Sequence, residues 1–207
     1  MSIRDFPHPP KRRLLLAGLA ALACAMASGP ARADAADDAV SYFRAVQLDN
    51  VAPIKRLLAK GLDPNIREPE RGETGLIVAM RYDSNDTLNL LLAQPGIDME
   101  LRAPNGNTAL MMAAFRQNKP ALLSLIARGA QVNQTGWTAL HYAAAAGSSD
   151  LTSLLLAHHA HIDAESPSGM TPLMMAAREG MESVVALLLK EGADASLKDG
   201  GFHLNAA

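Results

Sequence analysis

Cysteine occurs once among the 207 residues, at Cys24, and aromatic residues make up only 4% of the chain. A single thiol cannot close an intramolecular disulfide, so stability has to come from packing whatever the redox compartment. Long hydrophobic runs are also missing. The longest uncharged apolar stretch, residues 14–27, has 14 residues, short of the roughly 20 that a membrane-crossing helix needs. There is no Gly-rich loop of the kind that cradles phosphates and no His-Glu-x-x-His helix, which removes the common signatures of nucleotide and zinc-peptidase chemistry. Charged residues are 19% and apolar ones 49%, a balance that suits a buried core and excludes a disordered chain.

The first 33 residues differ from the rest. Arg4, Lys11, Arg12 and Arg13 stand against a single Asp5, the apolar stretch follows, and Ser28-Gly29-Pro30 breaks it ahead of Ala31-Arg32-Ala33. A basic head, an apolar middle and small residues at the end form a secretory signal peptide of the exported bacterial type. The expectation is a signal at 1–33 cut after Ala33, and a mature chain, 34–207, that is periplasmic or secreted. As a membrane anchor the stretch is too short, about 21 Å of helix. The Arg12-Arg13 pair fits either a twin-arginine or a general export route. Cys24 follows Leu-Ala-Ala-Leu-Ala, but Ala21 stands where a lipoprotein box usually has Leu. Cleavage would remove five basic residues, including Arg32, and one acidic residue, taking the net charge from -2 to near -6. Such a chain is repelled by nucleic acid phosphates, and after cleavage it has no membrane partner.

Internal repetition organises the remainder. Thr74, Thr108, Thr138 and Thr171 open "TGLIVAMRYD", "TALMMAAFRQ", "TALHYAAAAG" and "TPLMMAAREG", at intervals of 34, 30 and 33 residues. Each is followed by a second apolar run, and stepping back from Thr74 gives a fifth, opening unit with Val40 in place of Thr. Threonine suits a helix N-cap, and Pro172 suits the first helical position, where no N–H is needed. The pairs Ala113-Ala114, Ala143-Ala144 and Ala176-Ala177 let neighbouring helices approach closely. Gly147 and Gly180 mark the turn between helices, while Gly61, Gly129 and Gly192 fit left-handed C-terminal caps. Each unit is helix, turn, helix and loop, too short to be stable alone, so the units must stack.

The stretches "GWTALHYAAAAG", "GMTPLMMAAREG", "LLLKEGADAS" and "LIARGAQVN" resemble ankyrin repeats over residues 37–199. The resemblance implies an all-α repeat solenoid of helix-turn-helix pairs joined by short β-hairpin loops, with repeats at 37–67, 68–102, 103–134, 135–165 and 166–199. A short cap, 200–207, would use Phe202 and Leu204 to cover the last apolar end. It also implies a monomeric, non-enzymatic module, without cofactor or metal, that binds a protein partner on a concave face made of fingers and first helices. Departures from the pattern carry expectations of their own. Gly75 in place of Pro should loosen the start of its helix, and "VNQTGWTAL" should shorten the finger around Gln134 to Trp137.

The resemblance places the residue before each Thr, and those seven and eight after it, on that face. These slots hold Glu73, Arg81 and Tyr82; Asn107, Phe115 and Arg116; Trp137, Ala145 and Ala146; and Met170, Arg178 and Glu179. Aromatic and Arg residues are what interface hot spots contain, and Ala145 with Ala146 would leave a shallow floor beside Trp137. The alternative is a metal- or oxidant-handling protein that uses His158, His159 and His161 or the methionines Met111, Met112, Met174, Met175 and Met181. Against it, His159 falls in the cap slot of Gly129 and Gly192, and methionines at helical spacing fill cores by default. His141, in the "TALH" slot, has no recognisable nucleophile pattern with Ser153 and Asp150, so an enzymatic role finds no support.

Overall fold

The computed structural model describes residues 30–200; the apolar stretch, Cys24, Phe202 and Leu204 lie outside them. The chain divides into Met1–Asp38 and Ala39–Ala207, and the account that follows concerns the second unit. The helices are α1 Pro30–Gln47, α2 Val51–Ala59, α3 Gly75–Arg81, α4 Asn85–Leu92, α5 Ala109–Phe115, α6 Lys119–Ala127, α7 Ala139–Ala145, α8 Ser149–Ala157, α9 Pro172–Arg178 and α10 Glu182–Lys190. They form five successive pairs, an all-helical repeat stack. Among the described residues no helix is long and apolar enough to cross a membrane.

Local chemistry explains the boundaries. The hydroxyls of Thr108 and Thr171 accept from the Met111 and Met174 N–H groups, each at 3.3 Å, satisfying donors that the helix start leaves orphaned. Asn118 and Ser148 cap the second helices in the same way, from Ala121 N at 3.1 Å and Leu151 N at 3.3 Å. Thr74 makes no such bond. α1 runs straight through Val40, which could not have capped it.

Two left-handed positions recur along the stack, the first in all five repeats and the second in four. Nine residues after the Thr slot, Asp49, Asp83, Gln117, Gly147 and Gly180 all have φ between 51° and 72°. Only the two glycines were legible as turn markers. The other three offset the unfavourable conformation by reaching into the next repeat. Asp49 accepts from Thr87 N at 2.7 Å, Asp83 pairs with Arg116, and Gln117 donates to the Ala146 carbonyl at 2.8 Å. The second position, two residues after the second helix of the first, third, fourth and fifth repeats, holds Gly61, Gly129, His159 and Gly192, with φ of 95°, 92°, 62° and 95°; in the second repeat the left-handed residue comes later, at Gly96 with φ 75°.

First helices pack on first helices from the second repeat to the fifth, and second helices pack on second between the first and third repeats and again between the fourth and fifth. The core runs without interruption from Tyr42 and Phe43 through Leu76, Leu88, Leu122 and Leu140 to Leu155. Ala144, Leu173, Ala176, Val184 and Leu188 join the fifth repeat to the fourth. Gly75 corrects an expectation. It opens a helix that is buried from Gly75 to Met80, and its missing side chain makes room for Tyr42, so packing and not looseness is its role.

The fingers are plainer than hairpins. Among the described residues there is no strand, only an isolated antiparallel bridge between Arg67 and Thr74. Three fingers close through two backbone bonds each: Glu68 N to Glu73 O at 2.8 Å with Gly72 N to Glu68 O at 2.9 Å, Ala103 N to Asn107 O at 2.8 Å with Gly106 N to Ala103 O at 2.8 Å, and Ser166 N to Met170 O at 2.9 Å with Gly169 N to Ser166 O at 2.9 Å. The segment 134–137 shows only bends, in keeping with a shortened finger. Side chains hold it instead: Gln134 bridges Glu100 and Arg102, and Asn133 bonds the backbone of His159 and His161 at 2.7 and 2.8 Å.

Candidate interaction face

The short first helices place the residues seven and eight after each Thr at their C-terminal ends, where the chain leaves the helix and side chains meet solvent. Phe115 is 53% exposed and Tyr82 50% exposed, large apolar surface for a chain with so few aromatics. Arg116, Arg178 and Glu179 are exposed; Arg81, Ala145, Ala146, Trp137 and Met170 are half-buried.

Three rings converge at the centre. Phe115 meets Tyr142 edge to face with centroids 6.2 Å apart, and Trp137 lies 6.3 Å from Tyr142. Trp137 also rests against His141 in an edge contact at 5.2 Å. Tyr142 and Trp137 each have a support beneath them, and Phe115 leans on Tyr142. The Tyr142 hydroxyl donates to Asn107 Oδ1 at 2.5 Å. His141 is fully buried, and its Nε2 faces the Met170 carbonyl at 2.9 Å. A carbonyl can only accept, so Nε2 carries the proton and Nδ1 is left to accept from Thr138 N at 3.2 Å. Burial holds the His141 pKa below its ordinary value, although the Met170 and Ala164 carbonyls pull the other way. His141 thus ties the fourth repeat to the fifth and braces Trp137 as well.

Tyr142 was not among the residues read from the sequence. It occupies the slot of Val78, Met112 and Met175, which are buried, so its slot argued for core. The signal was its hydroxyl, which needs a partner when half-buried and finds one in Asn107.

Two sequence-derived candidates sit deeper than their slots suggest. Glu73 is buried and forms a two-pronged ion pair with Arg81, its Oε2 accepting from Nε at 3.0 Å. Asn107 is buried and supports Tyr142. Both shape the face from beneath and are not contact groups on it. The remaining arginines are paired near the surface, Arg116 with Asp83 at 2.5 Å and Arg178 with Glu179 at 3.0 Å; Arg178 also points Nη1 at Met170 sulfur, 3.6 Å away.

The alternative chemistry finds no support. Met111, Met112, Met174 and Met175 are all buried, so neither member of either adjacent pair faces the groove, where at most one of each could have. Helix neighbours pack on both sides of these residues, so two directions about 100° apart both lead inward. His159 is the left-handed cap of α8, its carbonyl accepting from Asn133. Among the described residues no group of three or more His, Cys, Asp or Glu is placed to hold a metal ion.

The chain is 34% identical over 153 residues to human (Homo sapiens) SH3 and multiple ankyrin repeat domains protein 2, covering 72% of this chain and 8% of that protein. It is 30% identical over 153 residues to the B-cell lymphoma 3 protein homolog of Mus musculus, covering 70% and 34%. It is 29% identical over 160 residues to the human transient receptor potential cation channel subfamily A member 1, covering 72% and 14%. The chain therefore spans at most about a third of the length of these curated relatives. The family model for ankyrin repeats (3 copies) matches residues 42–135 and again 117–199, which together run from the last turns of α1 through α10. This chain belongs to the ankyrin repeat family.

Proposed function

We propose that the chain is a non-enzymatic binding module, exported from the cytoplasm, that holds a protein partner on the concave face formed by its fingers and first helices. Ankyrin repeats are generally protein-interaction modules and typically have no enzymatic activity. The observation that carries the reading is the cluster of Phe115, Trp137 and Tyr142: three aromatic rings, two of them braced from below, in a chain with 4% aromatic residues. Pre-ordered aromatics lose little freedom on binding and are the common anchors of interfaces. Export rests on the basic head and apolar stretch of the first 33 residues.

The test is capture of a partner from periplasmic extract with the mature chain, followed by Phe115→Ala and Trp137→Ala. Each should weaken the captured complex by about 2 kcal/mol. Undiminished binding by both variants would reject the concave-face assignment. N-terminal sequencing of the chain recovered from the periplasm should begin at Asp34; recovery of the uncut chain in the cytoplasm would reject export.

A further inference from the structure

The arginines that the repeat register brings to this face are already matched by acids of the same chain. Arg81 is held by Glu73, Arg116 by Asp83 and Arg178 by Glu179. An acidic partner would have to displace those carboxylates to gain an ion pair, and a basic one would meet three guanidiniums. Between them lie the three rings, with Ala145 and Ala146 half-buried beside Trp137. Among the described residues no protein group accepts from the Trp137 indole N–H, and the ring is half-buried beside Tyr142 and His141, so the donor is left for an acceptor from outside. Such a donor is matched by an acceptor that carries no charge, and a peptide carbonyl is the one every protein segment supplies.

We infer that the segment this face takes from its partner is uncharged and apolar: an aliphatic or aromatic side chain set against Phe115, Trp137 and Tyr142 over the Ala145 and Ala146 floor, with a main-chain carbonyl accepting from the Trp137 indole. This rests on the binding reading above and narrows it to one chemistry. Asp83 is the residue that keeps the patch neutral at its open edge, since without it the Arg116 guanidinium beside Phe115 would be unmatched.

Trp137 is the sole tryptophan, so its fluorescence reports occupancy directly. The full chain is titrated with capped peptides of equal length that share one Leu-Phe anchor in a Ser-Gly frame and differ only in carrying no charge, several Glu or several Lys. The uncharged peptide should bind about tenfold more tightly than either charged one. Its affinity should change less than about twofold between low and high salt, because no ion pair is screened. Phe115→Ala should lose that binding. Asp83→Asn keeps a residue type that tolerates the positive φ of 56°, and it should create a salt-sensitive preference for the Glu peptide. A parent chain that prefers either charged peptide, or that shows no fluorescence response to any of the three, overturns the inference. Capture of a partner that Phe115→Ala releases would in that case leave the binding role standing on its own.

Discussion

A side chain at position 75 would collide with Tyr42: a Cβ there would run into the phenol oxygen and lie 3.0 Å from Cζ and 3.2 Å from Leu91 Cδ1. The phenol is fully buried between the first and second repeats, and its oxygen finds no hydrogen-bond partner among the described residues. Burial, with a smaller contribution from Asp63, raises its pKa far above the ordinary tyrosine value, so it stays protonated. Gly75→Ala should therefore destabilise by about 1–3 kcal/mol through overpacking, although Ala is the better helix former. Tyr42→Phe removes the unpartnered hydroxyl and should be neutral or stabilising by about 1 kcal/mol. The two changes touch, so the double variant should recover part of the Gly75→Ala loss. Urea denaturation of the four chains gives the coupling, and additive effects would refute it.

The buried and exposed ion pairs of the interaction face should behave differently. The Glu73 side chain is 4% exposed, whereas those of Arg178 and Glu179 are 56% and 42% exposed. Glu73→Gln takes the charge from a buried carboxylate, while the Arg81 side chain, 31% exposed, keeps part of its hydration, and the change should cost about 1 kcal/mol. Arg178→Gln removes a pair already solvated and screened, and should cost less than about 0.5 kcal/mol. Equal losses in the denaturation midpoint would contradict this division.

Protonation of His141 should couple stability to pH. Its folded pKa lies below the ordinary imidazole value of about 6.5, chiefly through burial, so the native state holds it neutral while the unfolded chain takes up a proton below that value. The sign follows: the contribution is complete above about pH 6.5 and declines as pH falls from there toward the folded pKa, by at most about 1.4 kcal/mol per pH unit. The surrounding groups do not offset it. Thr138, Trp137 and the Met170 and Ala164 carbonyls meet the ring, and none of these groups is charged. His141→Gln should be less stable at neutral pH and lose stability less steeply between pH 7 and 5. Parallel pH profiles would show that other groups dominate.

His159 offers a gain. It holds φ at 62° in a slot where Gly61, Gly129 and Gly192 sit at 92–95°, and its side chain is exposed. The interaction that matters there is its carbonyl with Asn133, which any residue supplies. His159→Gly should stabilise by about 0.5 kcal/mol, because release of backbone strain exceeds the entropy added to the unfolded chain. A lower thermal midpoint would show that the imidazole has a structural role.

The repeat period, the helix pairs, the Thr caps and the glycine caps were all legible, because each is written locally, in residues a few positions apart. The exposure of Phe115 and Tyr82 was legible for the same reason, as register alone places them at helix ends. What could not be read were matches between repeats. Glu73 is chosen by Arg81 within its own unit, but its burial depends on the finger folding over it. Tyr142 depends on Asn107, 35 residues earlier. Asp49, Asp83 and Gln117 looked like ordinary polar turn residues until the next repeat supplied their partners. Gly75 read as a weakness because Tyr42, which fills its space, lies a full repeat away.

Trp137 and Phe115 share the patch yet differ in what lies beneath them, and this separates binding from folding. Phe115 is 53% exposed and touches Tyr142 at an edge, so Phe115→Ala should change stability by less than about 0.5 kcal/mol. Trp137 lies against His141, which is itself sealed from water at 0% exposure. Removing the indole should open that seal, cost about 1 kcal/mol, and raise the His141 pKa toward its ordinary value because less burial opposes its charge. The two variants should thus weaken partner binding alike but differ in pH response: Phe115→Ala keeps the parent's loss of stability below about pH 6.5, and Trp137→Ala flattens it. Urea midpoints at several pH values, with NMR titration of the His141 ring, measure both quantities. A Trp137→Ala chain with an unshifted His141 titration would mean that the indole lies over the imidazole without shielding it.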